Sequence, residues 1–309
     1  MTAIAPALPV SPAPATAALV RRWPIETLWQ AELPIDSPVR GGVLPAELRA
    51  RFAARLEIML RLDRPTIVAN FVSTLDGAVA LDRHGATGGR EISGGFEPDR
   101  FLMGLLRATA DAVLVGAGTV RASHSRMWTP ESVHPPSGAA YAEWRRLLGL
   151  LAVGPTTVIV SGAGKVDLAR LGGEGGVNML VVTTVDGANR LRRGRPRGNV
   201  EIVPVAGESR IRIATLLAVL RDRGFRLVLS EAGPTLFGEL LGARAVDELF
   251  LTVAPQLAGR TAGHERLALV EGVGFPPPLA PWARLRSVMR SADHLFLRYD
   301  LRPDRRGVS

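Results

Sequence analysis

Two short glycine-rich segments follow apolar runs and are the parts of this chain best suited to chemistry. One runs from Val115 to Val120 as VGAGTV, and the other from Ser230 to Leu236 as SEAGPTL. A turn of this kind between a strand and a helix exposes backbone N–H groups, which bind phosphate. Each segment alone is equally typical of a plain tight turn, and neither matches a Rossmann or Walker motif. Two in one chain favour a dinucleotide site, with Thr183, Thr184 and Gly187 as a weaker third candidate.

An acidic residue, Asp76, lies in the segment STLDG that follows the apolar run 66–72. Such an aspartate either caps the turn or places a carboxylate beside a substrate, and both interpretations stay open. The chain has no cysteine, which excludes disulfides, Cys nucleophiles and Cys-ligated zinc. Its five histidines lack metal-ligand spacing, and neither a Ser/His/Asp arrangement nor a GxSxG motif occurs. We therefore expect no metal site and no hydrolase triad.

The net charge of +9 is spread along the chain and does not by itself predict a nucleic-acid partner. Of the 38 basic residues only Lys165 is a lysine, a ratio that suggests a GC-rich genome. Five arginines cluster between Arg190 and Arg197, in either a solvated loop or an anion-binding segment. Aromatic residues make up only 5% of the chain, and no helix-turn-helix pattern accompanies the cluster. Nucleic acid is therefore not an expected partner.

Strands alternate with helices through most of the chain, which predicts an α/β fold with a mainly parallel sheet. The segments predicted as strands are 66–72, 112–115, 156–160, 179–184, 200–205, 226–230, 247–254 and 294–301. The segments predicted as helices are 45–62, 98–109, 139–151, 210–222 and 235–241. The helix over 45–62 rests on apolar residues four apart, such as Leu48 and Phe52. The last two strands have no helices of their own, so antiparallel pairing is expected near the C-terminus.

Three regions are expected along the chain. Residues 1–20 are rich in Ala and Pro and predict a disordered tail, because prolines interrupt any apolar helix and no positive charge precedes it. Residues 21–62 predict a helical lead-in, and residues 63–303 the main domain. No stretch is long and apolar enough to span a membrane. We expect a cytoplasmic protein.

Five motifs occur together in a fixed order. They are 68–77, 105–107, 111–122, 231–236 and 246–249, the last followed by Ala254 and Pro255. This set resembles the reductase domain of the bifunctional riboflavin-biosynthesis deaminase–reductases, a family with the dihydrofolate reductase fold, and its stand-alone pyrimidine-reductase-like members in actinobacteria. The resemblance covers about 65–301 and identifies 63–303 as a reductase domain. It implies a dihydrofolate-reductase-like α/β fold, a mixed, mostly parallel sheet flanked by helices. The cysteine-dependent deaminase half is absent.

The resemblance implies NADPH as hydride donor and a phosphorylated ribosylamino-pyrimidine, of the 5-amino-6-(5-phosphoribosylamino)uracil type, as substrate. The residues that it places at the cofactor are Val72, Ser93, Gly116, Gly118, Thr119, Ser123, Thr183, Thr184, Gly233, Pro234, Thr235 and Leu236. The residues that it places at the substrate are Arg107, Met127 and Glu231. Within these sets, Thr183 or Thr184 would hold the 2′-phosphate of the cofactor. Arg107 would meet the sugar phosphate, because a guanidinium fork fits an anion.

Asp76 and Glu231 are the residues expected to flank the reacting centre as catalytic groups. We also expect Arg190 or Arg192 to favour NADPH over NADH, since both lie just beyond the strand that ends at Thr184.

Two departures from the family pattern keep the substrate open. Ala78 stands where the family often has a basic residue, and Ser123 where it usually has an acid. A dihydrofolate or pteridine reductase on the same fold therefore remains an alternative, as does a non-catalytic nucleotide-binding protein. The family commonly forms homodimers through its sheet, and the apolar segment 250–253 is the expected contact.

Overall fold

Ten strands form one large sheet in the computed structural model, which describes residues 23–33, 38–82, 88–123, 127–168, 177–194, 199–206, 210–261 and 266–301. The strands of these residues are β1 (Glu26–Gln30), β2 (Val39–Gly41), β3 (Glu57–Met59), β4 (Thr66–Ser73), β5 (Ala78–Ala80), β6 (Ala112–Gly116), β7 (Thr156–Ser161), β8 (Met179–Thr184), β9 (Val200–Val205), β10 (Leu227–Ser230), β11 (Glu248–Val253), β12 (Leu267–Ala268), β13 (Arg284–Ser291) and β14 (His294–Asp300). The order in the large sheet is β1-β13-β14-β11-β4-β10-β6-β7-β8-β9, while β2 pairs with β3 and β5 with β12.

The parallel part of this sheet carries the apolar runs predicted as strands. From β11 through β4, β10, β6, β7 and β8 to β9, every neighbouring pair is parallel. The pairs among β11, β14, β13 and β1 are antiparallel. Strands β6, β8 and β10 are almost wholly buried, which explains their continuous apolar sequence. The predicted α/β fold, mostly parallel with antiparallel strands near the C-terminus, is confirmed.

Helices cover both faces of the sheet. They are α1 (Ala46–Arg49), α2 (Gly89–Ile92), α3 (Glu97–Thr109), α4 (Ala117–Ala122), α5 (Pro130–Val133), α6 (Gly138–Leu147), α7 (Val185–Arg193), α8 (Ile213–Asp222) and α9 (Pro234–Gly242). Helices α3 and α6 share one core cluster, to which they contribute Phe101 and Trp144. Helices α8 and α9 share the cluster of the other face, through Leu216 and Phe237. The body is therefore a sheet between two layers of helices.

The helix predicted over residues 45–62 is wrong. The segment forms only the single turn α1 and then strand β3. Phe52 is buried, as the periodicity requires, but the backbone pairs with another strand instead of continuing the helix. The amide of Ile25 donates to the carbonyl oxygen of Arg51 at 2.8 Å, and the carbonyl oxygen of Ile25 accepts the amide of Ala53 at 3.1 Å. Because β1 also pairs with β13, the predicted lead-in completes the main sheet.

The segment expected at a dimer contact lies inside the sheet. Residues 250–253 belong to β11, which is hydrogen-bonded to β4 on one side and β14 on the other. Phe250 is buried in the core, so this strand offers no free edge to a second copy. The strands at the two ends of the described sheet are β1 and β9.

Some expectations fall outside the residues that the structure describes. These are the tail over 1–20 and two arginines of the basic cluster, Arg195 and Arg197. Across the described part of the chain, none of the helices has the length and apolar character needed to cross a membrane.

Candidate active site

A cavity of about 1350 Å³ opens at the carboxyl ends of the central parallel strands. Its walls come from the ends of β4, β10, β6 and β7, from the turns that follow them, and from one face of α3. Strand β10 lies between β4 and β6, although it follows both in sequence. Ligands of open α/β sheets bind where the strand order reverses in this way. The sheet topology alone therefore predicts a binding site at this edge.

The two glycine-rich segments meet in this cavity. They follow β6 and β10, which are neighbours in the sheet, and they begin α4 and α9. A Cβ atom on Gly233 would lie 3.3 Å from Oγ1 of Thr119, so the two turns approach each other closely. Pro234 occupies the first turn of α9, where its missing N–H group costs no hydrogen bond. Residues of both turns, together with the first residues of α4 and α9, line this one cavity.

Arg107 and Glu231 form a buried ion pair on the cavity wall. Nε and Nη2 of Arg107 donate to the two carboxylate oxygens of Glu231 at 2.7 and 2.6 Å. Nη1 donates to the carbonyl oxygen of Thr129 at 3.0 Å and to Oγ of Ser132 at 3.3 Å. Both charged side chains are largely shielded from solvent. The fork that was expected to meet a sugar phosphate is thus directed mainly at Glu231.

Another buried arginine, Arg145 of α6, fixes the end of α3 that carries Arg107. Its guanidinium donates to the carbonyl oxygens of Arg107, Ala108 and Ala110 at 3.3, 3.2 and 2.8 Å. These carbonyls lie in the last turn of α3 and at its C-cap, where the regular helical donors are missing; that of Arg107 also accepts the amide of Ala110 at 3.4 Å. Burial lowers the pKa of Arg145 to about 10, so it stays charged near neutrality. The orientation of Arg107 therefore depends on a side chain from a different helix.

Asp99, which the sequence analysis did not single out, is a buried carboxyl group of the cavity wall. The side chains of Thr252 and Ser93, each with a hydroxyl group, are its neighbours. Burial raises the pKa of Asp99 to about 6, with a smaller contribution from the charge of Glu231. The sequence gives little signal for this residue, because an acid in the first turn of a helix is common and favourable there.

Asp76 does not line the cavity. Its carboxylate accepts hydrogen bonds from the Thr74 hydroxyl at 2.6 Å and from the amides of Ala258 and Gly259 at 3.1 and 2.7 Å. These bonds, chiefly that of Thr74, lower the pKa of Asp76 to about 2. The aspartate therefore connects the turn between β4 and β5 to the loop after β11. The geometry favours the turn-capping interpretation over a role beside substrate.

Thr183 and Thr184 lie behind the cavity wall. The Thr183 hydroxyl donates to the carbonyl oxygen of Ser161 at 2.5 Å, and the Thr184 hydroxyl to that of Gly162 at 2.7 Å. Thr184 also accepts the amide of Gly187 at 3.1 Å, which caps α7. Both threonines are buried, whereas Ser161 and Gly162 line the cavity. They hold the loop that faces a ligand and do not themselves face it.

The cationic residues at the cavity differ from those expected from the arginine cluster. Arg190 and Arg192 are exposed on α7 and do not line the cavity. Arg121 and Lys165 do, and Nη1 of Arg121 donates to the carbonyl oxygen of Lys165 at 3.2 Å. Both follow neighbouring strands, β6 and β7. These two side chains place positive charge at the part of the cavity where β6 and β7 end.

Most of the other expected residues are brought together. Those lining the cavity are Val72, Ser93, Gly116, Gly118, Thr119, Ser123, Gly233, Pro234, Thr235, Leu236, Arg107 and Glu231. Met127 is not among them, but its carbonyl oxygen accepts the Ser132 hydroxyl at 2.9 Å. Among the described residues, no group of three or more His, Asp or Glu side chains could hold a metal ion.

The chain is similar in sequence and in fold to proteins of riboflavin biosynthesis. The family model described as the RibD C-terminal domain matches residues 65–289. Two archaeal relatives are named 2,5-diamino-6-ribosylamino-4(3H)-pyrimidinone 5′-phosphate reductase. The protein of Archaeoglobus fulgidus is 27% identical over 213 residues, 69% of this chain and 89% of its own. That of Methanothermobacter thermautotrophicus is 30% identical over 214 residues, 69% of this chain and 86% of its own.

Two solved structures are similar in fold. A pyrimidine reductase-like protein from Corynebacterium diphtheriae has a TM-score of 0.56 and 20% identity, over 78% of this chain and 93% of that one. A diaminohydroxyphosphoribosylaminopyrimidine deaminase/5-amino-6-(5-phosphoribosylamino)uracil reductase from Thermotoga maritima has a TM-score of 0.55 and 22% identity. The likeness covers 77% of this chain but only 57% of the bifunctional protein.

Proposed function

We propose that this chain, which belongs to the RibD C-terminal domain family, is an NADPH-dependent reductase of riboflavin biosynthesis. Its substrate is a 5′-phosphorylated ribosylamino-pyrimidine, either the uracil expected from the sequence or the diaminopyrimidinone in the names of its archaeal relatives. The reaction is the same for both, because it changes the ribosyl group. Hydride reaches the ribosyl carbon beside the amine, and the sugar opens to a ribityl chain.

The observation that carries this proposal is that both glycine turns and the Arg107–Glu231 pair border one cavity. Its volume of about 1350 Å³ exceeds the range of about 300–1,000 Å³ that is typical of a site for one small ligand. A hydride transfer needs room for two ligands in contact. This chain would supply binding, orientation and charge, while NADPH when bound supplies the hydride.

The residues present fit a pyridine dinucleotide. A Cβ atom at residue 233 would stand 3.3 Å from the Thr119 hydroxyl, so glycine there keeps this space open for a diphosphate to meet backbone N–H groups at the N-terminus of α9. Val72 and Ser93 lie toward β4, and Lys165 follows β7. Three strand spacings separate β4 from β7 through β10 and β6, or about 14 Å at ~4.8 Å each. An extended dinucleotide can span this distance.

Arg121 and Lys165 would hold the 2′-phosphate of NADPH, in place of Arg190 or Arg192. A charged contact of this kind is worth about 1.5–3 kcal/mol, or roughly tenfold to hundredfold in affinity. Lys165→Ala should therefore raise the KM for NADPH about tenfold and leave the KM for NADH unchanged. Arg190→Ala is the matched control and should change neither constant. If Arg190→Ala raises the KM for NADPH and Lys165→Ala does not, the 2′-phosphate binds the arginines of α7 instead.

The substrate phosphate would lie against α3 and α2, where Arg100 and Arg90 line the cavity. Nε of Arg100 donates to the carbonyl oxygen of Val133 at 3.0 Å, which orients the guanidinium. Its planar fork has five N–H donors and suits a phosphate dianion. Arg107 then acts mainly through Glu231, by holding that carboxylate toward the sugar.

The proposal is tested by mixing the purified chain with NADPH and each candidate substrate in turn, while the nicotinamide absorbance is followed. We expect oxidation with a ribosylamino-pyrimidine phosphate and a product with two more hydrogen atoms in its mass spectrum. Dihydrofolate and dihydropteridine should give no oxidation. Consumption of these compounds instead, or NADPH binding without turnover, would support one of the two alternatives and reject the proposal.

A homodimer remains a proposal, now placed at an edge of the sheet. Strand β1 is one end of the sheet; residues 51–55 bind its two ends at Ile25 and Gln30, while Leu28 and Trp29 between them are 55% and 47% accessible. An exposed apolar edge strand readily pairs with another copy. Light scattering of the purified chain measures its state, and Trp29→Lys should convert a dimer through β1 to a monomer.

A further inference from the structure

The proposed reduction needs a proton as well as a hydride. The hydride brings two electrons to the ribosyl carbon, where a C–H bond forms. The bond from that carbon to the sugar-ring oxygen breaks, and its electron pair leaves with the oxygen. The oxygen must then take a proton to become the hydroxyl of the ribityl chain. A nearby acid that supplies it typically contributes about 10²–10⁴-fold in rate.

The two carboxylates expected from the sequence are poorly placed to give this proton. Both oxygens of Glu231 accept hydrogen bonds from Arg107, so a proton on Glu231 would break a buried ion pair. Asp76 lies outside the cavity wall and already accepts three hydrogen bonds. Neither carboxylate combines access to the cavity with a stable protonated form.

Asp99 has both properties. It lines the cavity together with Ser93, one of the residues expected at the cofactor, and with Arg107, which lies about two turns further along α3. It is only 7% exposed, and this burial is the main reason that its pKa is raised. The neighbouring hydroxyls of Ser93 and Thr252 lower the pKa by less than burial raises it, and because a hydroxyl can accept as well as donate, they tolerate a protonated carboxyl group.

We propose that Asp99 is the acid that protonates the sugar-ring oxygen when the ribosyl group opens, an inference that rests on the proposed function. The carboxyl group gives its proton to the oxygen as the carbon–oxygen bond breaks, and it is reprotonated from solvent after product leaves. Glu231, held by Arg107, remains negative and stabilises the positive charge that develops beside the amine. Two acidic residues in different surroundings thus divide the two tasks.

The elements around Asp99 carry several other charged or titratable groups. The turn after β10 brings Glu231, α2 brings Arg90 and Glu91, and α3 itself brings Arg100 and Arg107. The start of β14 brings His294, which stacks on Phe96 at 4.0 Å between ring centroids. Burial lowers the pKa of His294, so its titration must be distinguished from that of Asp99 in a pH profile.

The pH dependence has a definite sign. Because burial raises the pKa of Asp99 to about 6, the acid form is abundant at pH 5 and falls to roughly a tenth at pH 7. The proposal therefore requires kcat to be highest below about pH 6 and to decline as pH rises. A group that had to be ionised would give the opposite slope.

Three variants test the inference. Asp99→Asn keeps the size of the side chain and a capacity for hydrogen bonds but cannot release a proton in this way. We expect kcat to fall at least 100-fold, with the decline above pH 6 abolished and the NADPH dissociation constant within twofold of the parent. Asp186→Asn, on the exposed first turn of α7, is the matched control and should leave the whole profile unchanged. His294→Gln should keep the decline, which separates the two groups.

A second readout does not depend on turnover. Infrared spectra of the parent chain between pH 4.5 and 8 should contain the carbonyl stretch of a protonated carboxyl group that titrates near pH 6. Asp99→Asn should lack this band. If the parent turns over and Asp99→Asn keeps its rate and pH profile, or if the band persists in that variant, the inference is wrong while the proposed function stands. If no substrate is reduced by the parent, the proposed function fails first.

Discussion

The cavity has two halves that are built in different ways. The half formed by the turns after β6 and β10 presents backbone N–H groups, and its shape follows from glycine and proline at fixed places. The half on α3 presents side chains, and its shape follows from contacts between residues far apart in sequence. Arg107 and Glu231 are 124 residues apart, and Arg145 reaches α3 from another helix.

A single substitution therefore has different consequences in the two halves of the cavity. A change in the backbone half alters the space for a ligand but few contacts within the protein. A change in the side-chain half removes one member of a buried network and leaves its partner uncompensated. We therefore expect the side-chain half to be sensitive in both stability and rate, and the backbone half mainly in affinity.

Among the variants that compare the two halves, the largest combined effect on stability and rate is expected from Glu231→Gln. The change leaves the Arg107 guanidinium buried without its carboxylate, and loss of one partner of a buried pair costs about 3–5 kcal/mol in unfolding free energy. We expect turnover to fall at least tenfold with nearly unchanged NADPH affinity, in a coupled absorbance assay and a fluorescence titration. Glu143→Gln, exposed on α6, is the matched control. Unchanged turnover would show that Glu231 does not take part in the reaction.

A smaller and more selective effect is expected from Gly233→Ala. The backbone of Gly233 has φ −65° and ψ 167°, which alanine adopts without strain, so the unfolding midpoint should hardly move. The added Cβ would stand 3.3 Å from the Thr119 hydroxyl, in the space assigned to the diphosphate. We expect the NADPH dissociation constant to rise about tenfold, since a close backbone approach is lost.

Gly274→Ala controls for the added methyl group, because no other part of the described structure comes within 4 Å of a Cβ there. Calorimetric titration with NADPH measures both variants. If Gly233→Ala binds NADPH as well as Gly274→Ala does, the two glycine turns do not jointly hold the coenzyme.

The smallest effect on rate is expected from Asp76→Asn. Asp76 joins two loops outside the cavity wall, so turnover should stay within about twofold. Its pKa of about 2 lies below the ordinary value of 3.8, so its bonds stabilise the folded chain above about pH 4 and lose this effect as pH falls toward 2. Thermal unfolding scans across this pH window should show a smaller acid-induced decrease for Asp76→Asn. A large loss of turnover would instead give Asp76 a role in the chemistry.

How far sequence reasoning reaches depends on how local the cause of each feature is. The buried strands and both glycine turns are predicted correctly, because their apolar runs, glycines and prolines act within a few residues. The helix over 45–62 fails because a strand more than twenty residues earlier pairs with its backbone. Tertiary pairing outweighs a favourable periodicity there.

The same limit applies within the site. Arg107 and Glu231 both emerge as expected residues, but nothing local indicates that they bind each other. Asp99 is inconspicuous because its unusual titration comes from burial under residues of other elements. Thr183 and Thr184 are near the site as expected. Only the fold shows that they lie behind the cavity wall, where their hydroxyls bind the loop that forms it.

Lys165 has a practical consequence, because it is the sole lysine of the chain and stands at the rim of the cavity. Its ε-amine and the α-amino terminus are the protein's two kinds of primary amine, and they differ in basicity. If the α-amino group is first blocked near neutral pH, where it is the less protonated amine, an acylating dye at alkaline pH can label Lys165 beside the proposed coenzyme site without mutagenesis. Protection of that amine by ligand would give a direct measure of occupancy in a mass spectrum.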